Sequence, residues 1–145
     1  MAATLNDIYF AATLLEAVAR TTKNRRRDVV EKIGKDGVYR IVHLADILHA
    51  LPMEQAIDET IEQYRITDGT YDSVSACKYD VPRIYPIGKD YMRLVRDTEQ
   101  DPEKWPEQLY HIFLSPMSDF LSDFNSAWFF SPAEDIAYEY RRMKI

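Results

Sequence analysis

The chain has a single cysteine, Cys77, among its 145 residues. A lone cysteine cannot form an internal disulfide or supply paired thiolate ligands, which excludes a disulfide-stapled scaffold and a multi-cysteine metal site. Glycine is also scarce, with four residues, and none of them belongs to a glycine-rich phosphate loop. No stretch joins a basic start to an apolar run as a signal peptide does, and charges interrupt every apolar run. We therefore expect a cytoplasmic protein with no membrane span.

In place of these features the chain shows helical periodicity. An apolar fraction of 46% is enough to bury a core at this length, and little glycine with regularly placed proline favours helices over a β-sandwich. Apolar residues recur at helical spacing in five stretches: 5–19, 38–49, 53–64, 105–128 and 136–143. Pro116 interrupts the longest stretch and predicts either a kink or two abutting helices there. The predicted fold is an all-α compact bundle of seven or eight helices.

The pattern predicts one domain over residues 1–145, with a helical lobe at 4–65, a connection at 66–86 and an acidic aromatic lobe at 87–145. The connection contains glycine and proline but no helical period, and its length leaves room for a short hairpin. Irregular connections this long are uncommon in compact domains and are often functional.

Charge is distributed unevenly along the chain. Residues 20–40 contain eight basic and three acidic residues, whereas residues 97–139 contain one basic and ten acidic residues. The acidic stretch is rich in aromatic residues, so it does not have the composition of a disordered tail. Such asymmetry points to a charged partner.

The leading functional hypothesis rests on residues 97–139, which are acidic and rich in aromatic side chains. Three consecutive aromatic residues cannot easily enter one core, and two aspartates precede them; the predicted partner-binding residues are Asp119, Asp123, Trp128, Phe129 and Phe130. Charge would steer a basic protein partner towards this region and the aromatic rings would anchor it. The structural alternative is that two rings pack inside and one stays partly exposed. We predict a non-catalytic protein-binding module without a cofactor, in which a homo-oligomer is also possible.

The alternative hypothesis rests on the basic residues of the range 20–40. Four cations lie close together there: Lys23, Arg25, Arg26 and Arg27. They precede two short helices that join near Gly34, an outline similar to a helix-turn-helix whose cations would contact nucleic-acid phosphates. The acidity of the whole chain disfavours this reading. The structural alternatives are a solvated helix entry or an internal docking site for the acidic part.

Side chains suited to catalysis or metal binding are few. His43, Asp46 and His49 are spaced three apart and could form an acid–base or metal patch on one edge of a helix. Three ligands are few for a metal, so a boundary histidine beside a solvated aspartate is the simpler interpretation. Cys77 could act as a nucleophile, but without a local signature an ordinary thiol is favoured. No catalytic residue and no metal site is predicted.

Several core-forming motifs in the first part of the chain carry a family resemblance: Leu14-Leu15-Glu16, Gly37-Val38-Tyr39, Ile47-Leu48-His49 and the run 56–61. With them, residues 8–64 resemble a small all-helical family of unknown function that gut bacteria encode beside genes for ADP-ribosyltransferase-like toxins. The resemblance implies an accessory or antitoxin-like role with no enzymatic activity of its own. Our leading hypothesis is accordingly a binding protein that neutralises or regulates an enzyme from a mobile genetic element. The C-terminal half departs from that family, and no family site residue carries over.

Overall fold

The protein is all-helical in the computed structural model, which describes residues 2–143. Within that range there are eight α-helices, as the sequence predicts, and no strand: α1 (Leu5–Thr22), α2 (Arg26–His43), α3 (Ala45–His49), α4 (Met53–Tyr64), α5 (Ile84–Thr98), α6 (Trp105–Leu114), α7 (Pro116–Ser122) and α8 (Ala133–Met143). Two short 3₁₀ helices, Pro102–Lys104 and Trp128–Phe130, lie between the later α-helices.

Helix α1 is the centre of the molecule. Every residue from 10 to 19 is buried, because α2, α3, α4, α5 and α6 all pack around it. A helix that is apolar on nearly every side is expected in such a position. Thr4 caps its start: the Thr4 hydroxyl accepts from the Asp7 amide, and the Asp7 carboxylate accepts from the Thr4 amide.

Helix α5 packs more extensively against α1 than any other helix does, and Gly88 allows a close approach. A Cβ atom on Gly88 would lie 2.0 Å from the Thr13 hydroxyl oxygen and 3.1 Å from the Thr13 Cα. Helices from both predicted lobes therefore contribute to one continuous core, which includes buried residues of α1, α2, α5, α6, α7 and α8.

Two local breaks occur where the sequence predicts them. Gly34 interrupts α2 with φ 79° and ψ 167°, a conformation that is essentially restricted to glycine. Pro116 begins α7 immediately after α6 ends, so the long apolar stretch forms two abutting helices.

The connection is shorter than the sequence indicates. Helix α5 begins at Ile84 and includes Pro86 in its first turn. The amides of a first turn have no intrahelical acceptor, so a proline there removes no helical hydrogen bond. The hairpin that the sequence left open is absent from the described residues, and residues 73–76 form turns instead.

None of the helices in the described range combines the length and apolar character that crossing a membrane requires.

Candidate functional site

The basic cluster of α2 is folded against the rest of the chain. Arg26 is fully buried: its Nε donates to Glu16 Oε1 at 2.8 Å and one terminal nitrogen donates to Glu16 Oε2 at 2.5 Å. The same nitrogen donates to the Ser73 hydroxyl at 3.1 Å. Arg26 thus ties the start of α2 to the centre of α1 and to the connection, and it is not accessible to a phosphate in this structure.

Glu16 holds a second cation. Arg20, one turn further along α1, donates to Glu16 Oε2 at 2.7 Å. The guanidinium groups of Arg20 and Arg26 lie 4.7 Å and 5.8 Å from the centre of the Phe124 ring. Burial by itself would lower the pKa of Arg26, but the charge and the hydrogen bonds of Glu16 raise it above its ordinary value. The Glu16 carboxylate thus stabilises the charged form of the buried Arg26 guanidinium.

Asp119 receives the other two arginines of the basic cluster. Arg25 and Arg27 contact its two carboxylate oxygens at 3.3 Å and 2.9 Å, respectively. The remaining cation, Lys23, approaches Asp72 at 3.9 Å. The structure thus brings two of the four predicted nucleic-acid residues, Arg25 and Arg27, into contact with one predicted partner-binding residue, Asp119. This is the geometry of a docking site within the chain, which the sequence left open as an alternative.

A cleft with a volume of about 820 Å³ opens beside this contact. The connection forms one wall, and α7 with the segment after it forms the other. Asp72, Asp119 and Asp123 line it together with one cation, Arg25, whose guanidinium lies 4.8 Å from the centre of the Tyr71 ring. Three carboxylates around a single arginine leave the lining acidic.

The three consecutive aromatic residues separate into packed and exposed side chains. Trp128 stacks on Phe120, a residue that lines the cleft, with ring centres 5.8 Å apart. Phe129 also packs against the core. Phe130 contacts Phe129 edge-to-face at 4.5 Å but remains 74% exposed. The structure accordingly leaves Phe130 as the ring most available to a partner.

Helix α8 also carries an exposed aromatic ring with acidic residues beside it. Tyr138 is 68% exposed, and Glu134 and Asp135, four and three residues before it, are exposed on the same side of the helix. Sequence reasoning did not single out these three residues, although an aromatic residue one turn after two acidic residues is a visible pattern. We refer to residues 123–138 as the acidic aromatic segment; it contains no lysine or arginine.

The side chains that the sequence offered for catalysis or metal binding are not brought together into one site. The rings of His43 and His49 contact different aromatic residues, Tyr39 and Phe10, and no group of three potential metal ligands occurs within residues 2–143. The Cys77 thiol contacts the Tyr79 carbonyl at 3.2 Å, a backbone contact in the connection.

Comparison with known proteins gives no relative: no family model, no curated protein and no solved structure matches this chain.

Proposed function

We propose that this protein is a protein-binding module whose acidic aromatic segment receives a basic stretch of a partner protein. The observation that carries the proposal is the combination of two highly exposed rings, Phe130 and Tyr138, with three exposed carboxylates in the same segment. Exposed aromatic side chains anchor interfaces, and uncompensated charge of one sign steers the encounter with an oppositely charged partner.

The carboxylates of this segment differ from several other acidic residues of the chain in that they lack a basic partner among the described residues. Asp119, Glu107 and Glu139 each form an ion pair with a basic residue of the protein itself. Asp123, Glu134 and Asp135 form no ion pair among the described residues. Their charge is therefore available to a partner.

The family resemblance of residues 8–64 suggests which class of partner to expect. A family encoded beside toxin genes would supply a protein that regulates an enzyme, so we extend the proposal to an antitoxin-like role in which the enzyme presents a basic surface. The segment with the exposed rings lies outside the resembling residues, so binding by this segment and the antitoxin-like role stand as separate proposals.

The test is a capture experiment with the full-length tagged protein in a lysate of its source organism. The bait is compared with the double variant Phe130→Ala with Tyr138→Ala and with the control Ile47→Ala, which removes a side chain of similar exposure (67%) on α3. All three positions are exposed, so the variants should keep the stability of the parent to within about 0.5 kcal/mol.

We expect the parent and the Ile47→Ala control to retain the same basic protein. The double variant should retain at least about tenfold less of it, since loss of an aromatic anchor commonly costs more than about 1.4 kcal/mol. The proposal is wrong if the double variant retains as much of that protein as the control, or if no basic protein is enriched on any bait.

A further inference from the structure

A second cavity lies on another part of the molecule, among the first turns of α1, helix α3 and the start of α5. Its volume is about 400 Å³, within the range of small-molecule sites. It shares no lining residue with the acidic aromatic segment or with the cleft beside Asp119. An inference about this groove therefore stands or fails independently of the proposed function.

Aromatic side chains form much of its wall. Tyr9 and Tyr85 contact each other edge-to-face with ring centres 6.5 Å apart, and Tyr85 remains 46% exposed. Phe10 contacts the ring of His49 edge-to-face at 5.6 Å. Rings of this kind offer a face rich in negative potential to a cation, and an apolar surface to the body of a ligand.

The charged groups that line the groove are both carboxylates. The Asp46 carboxylate makes no hydrogen bond or ion pair among the described residues, and Asp7 uses one carboxylate oxygen as the acceptor of the Thr4 amide. No lysine or arginine belongs to the lining. The ammonium group of Lys89 is 5.9 Å from the centre of the ring of Tyr9, a residue that lines the groove. One wall of the groove thus already attracts an ammonium group of the chain itself.

We propose that this groove binds a small organic ammonium ion with an aromatic or aliphatic body. The ammonium group would donate to the carboxylates of Asp46 and Asp7, and the body would lie against Tyr9, Phe10 and Tyr85. Charge-assisted hydrogen bonds fix the orientation of such a ligand, and burial of its apolar part contributes affinity.

The test is an NMR titration of the full-length protein, with backbone amide shifts as the readout. The probe is the phenethylammonium ion, and phenethyl alcohol serves as its uncharged counterpart of nearly the same shape. We expect saturable shifts confined to the start of α1, to α3 and to the start of α5, and binding of the alcohol weaker by at least about tenfold. Equal affinity for the two probes, or shifts elsewhere or none, would overturn the proposal.

Three substitutions locate the site. Asp46→Asn should weaken binding of phenethylammonium by about tenfold, because it removes the carboxylate that has no partner within the chain. Asp58→Asn, which changes an exposed aspartate of α4 by the same chemistry, should leave the affinity unchanged. Lys89→Gln should bind at least as tightly as the parent, since it removes the competing cation. If Asp46→Asn binds as tightly as Asp58→Asn, the ammonium group is not held at Asp46 and the proposal is wrong.

Discussion

At the scale of single residues, Glu16 joins three parts of the fold. It is the only buried acidic side chain of α1, and its burial requires compensation by Arg26 and Arg20. A buried charge that loses its partner is costly, whereas the net contribution of the intact pair is small. We therefore expect the pair to favour this arrangement of α1, α2 and the connection over arrangements that leave Glu16 unpaired.

Replacement of Arg26 should show this dependence. We expect Arg26→Met to lower the free energy of unfolding by about 3–5 kcal/mol, because it leaves the buried Glu16 carboxylate short of its bidentate partner. Urea denaturation measures the change. Arg83→Met, at an exposed arginine that makes no ion pair among the described residues, should change stability by less than about 0.5 kcal/mol. A similar small change in both variants would contradict the structural role of the pair.

Asp90 is a partly buried acid whose charged form is disfavoured by burial. Burial raises its pKa from its ordinary value of 3.8 to about 7, against a smaller opposite effect of Arg93, and its Oδ2 atom has no hydrogen-bond partner. A raised pKa in an acid means that the folded protein binds a proton more tightly than the unfolded chain does. Stability should therefore fall as the pH rises from about 4 to about 7, and the full cost should be present above pH 7.

Asp90→Asn should remove that cost, since the amide carries no charge at any of these pH values. At pH 8 we expect the variant to be more stable than the parent by about 1–2 kcal/mol, a range that allows for solvent screening of a partly exposed group. At pH 4 the two proteins should be nearly equal. Thermal denaturation at both pH values is the measurement, and a difference that does not depend on pH would contradict the cause assigned here.

At the scale of helices, the sequence predicted where helices begin and end better than which helices contact each other. Pro116 predicted either a kink or two abutting helices, and the structure has two helices that abut there. The predicted connection extends to residue 86, whereas α5 already begins at Ile84, because Pro86 is compatible with the first turn of a helix. The contacts of Arg26 with Glu16 and of Arg27 with Asp119 join residues 10 and 92 positions apart, so helical periodicity alone did not predict them.

Gly34 provides the test at this scale. A Cβ atom there would meet no atom within 4 Å, so the cost of a side chain comes only from the backbone conformation. Gly34→Ala should lower the free energy of unfolding by about 1–3 kcal/mol. Lys32→Ala, at an exposed helical position two residues earlier, should change it by less than about 0.5 kcal/mol. Equal effects in the two variants would show that the break at Gly34 is not required.

At the scale of the whole molecule, the charge asymmetry of the sequence has two outcomes. Part of it is used internally, where Arg25 and Arg27 meet Asp119. The rest remains at the surface in the acidic aromatic segment. Of the three predicted rings, only Phe130 is mostly exposed, as in the structural alternative in which two rings pack inside. The sequence did not predict that Asp119 pairs with Arg25 and Arg27 while Asp123 stays unpaired among the described residues, because the pairing depends on how α2 packs against α7.

The measurement that tests the proposed function most directly is native mass spectrometry of the full-length protein, purified from its source organism at low salt. The parent is compared with the variant Asp123→Asn, Glu134→Gln and Asp135→Asn, in which the three uncompensated charges are removed. We predict a stoichiometric complex of the parent with a basic protein and, for the variant, the protein alone. A parent free of any partner, or a variant that retains the same partner in the same amount, would contradict binding through the acidic aromatic segment.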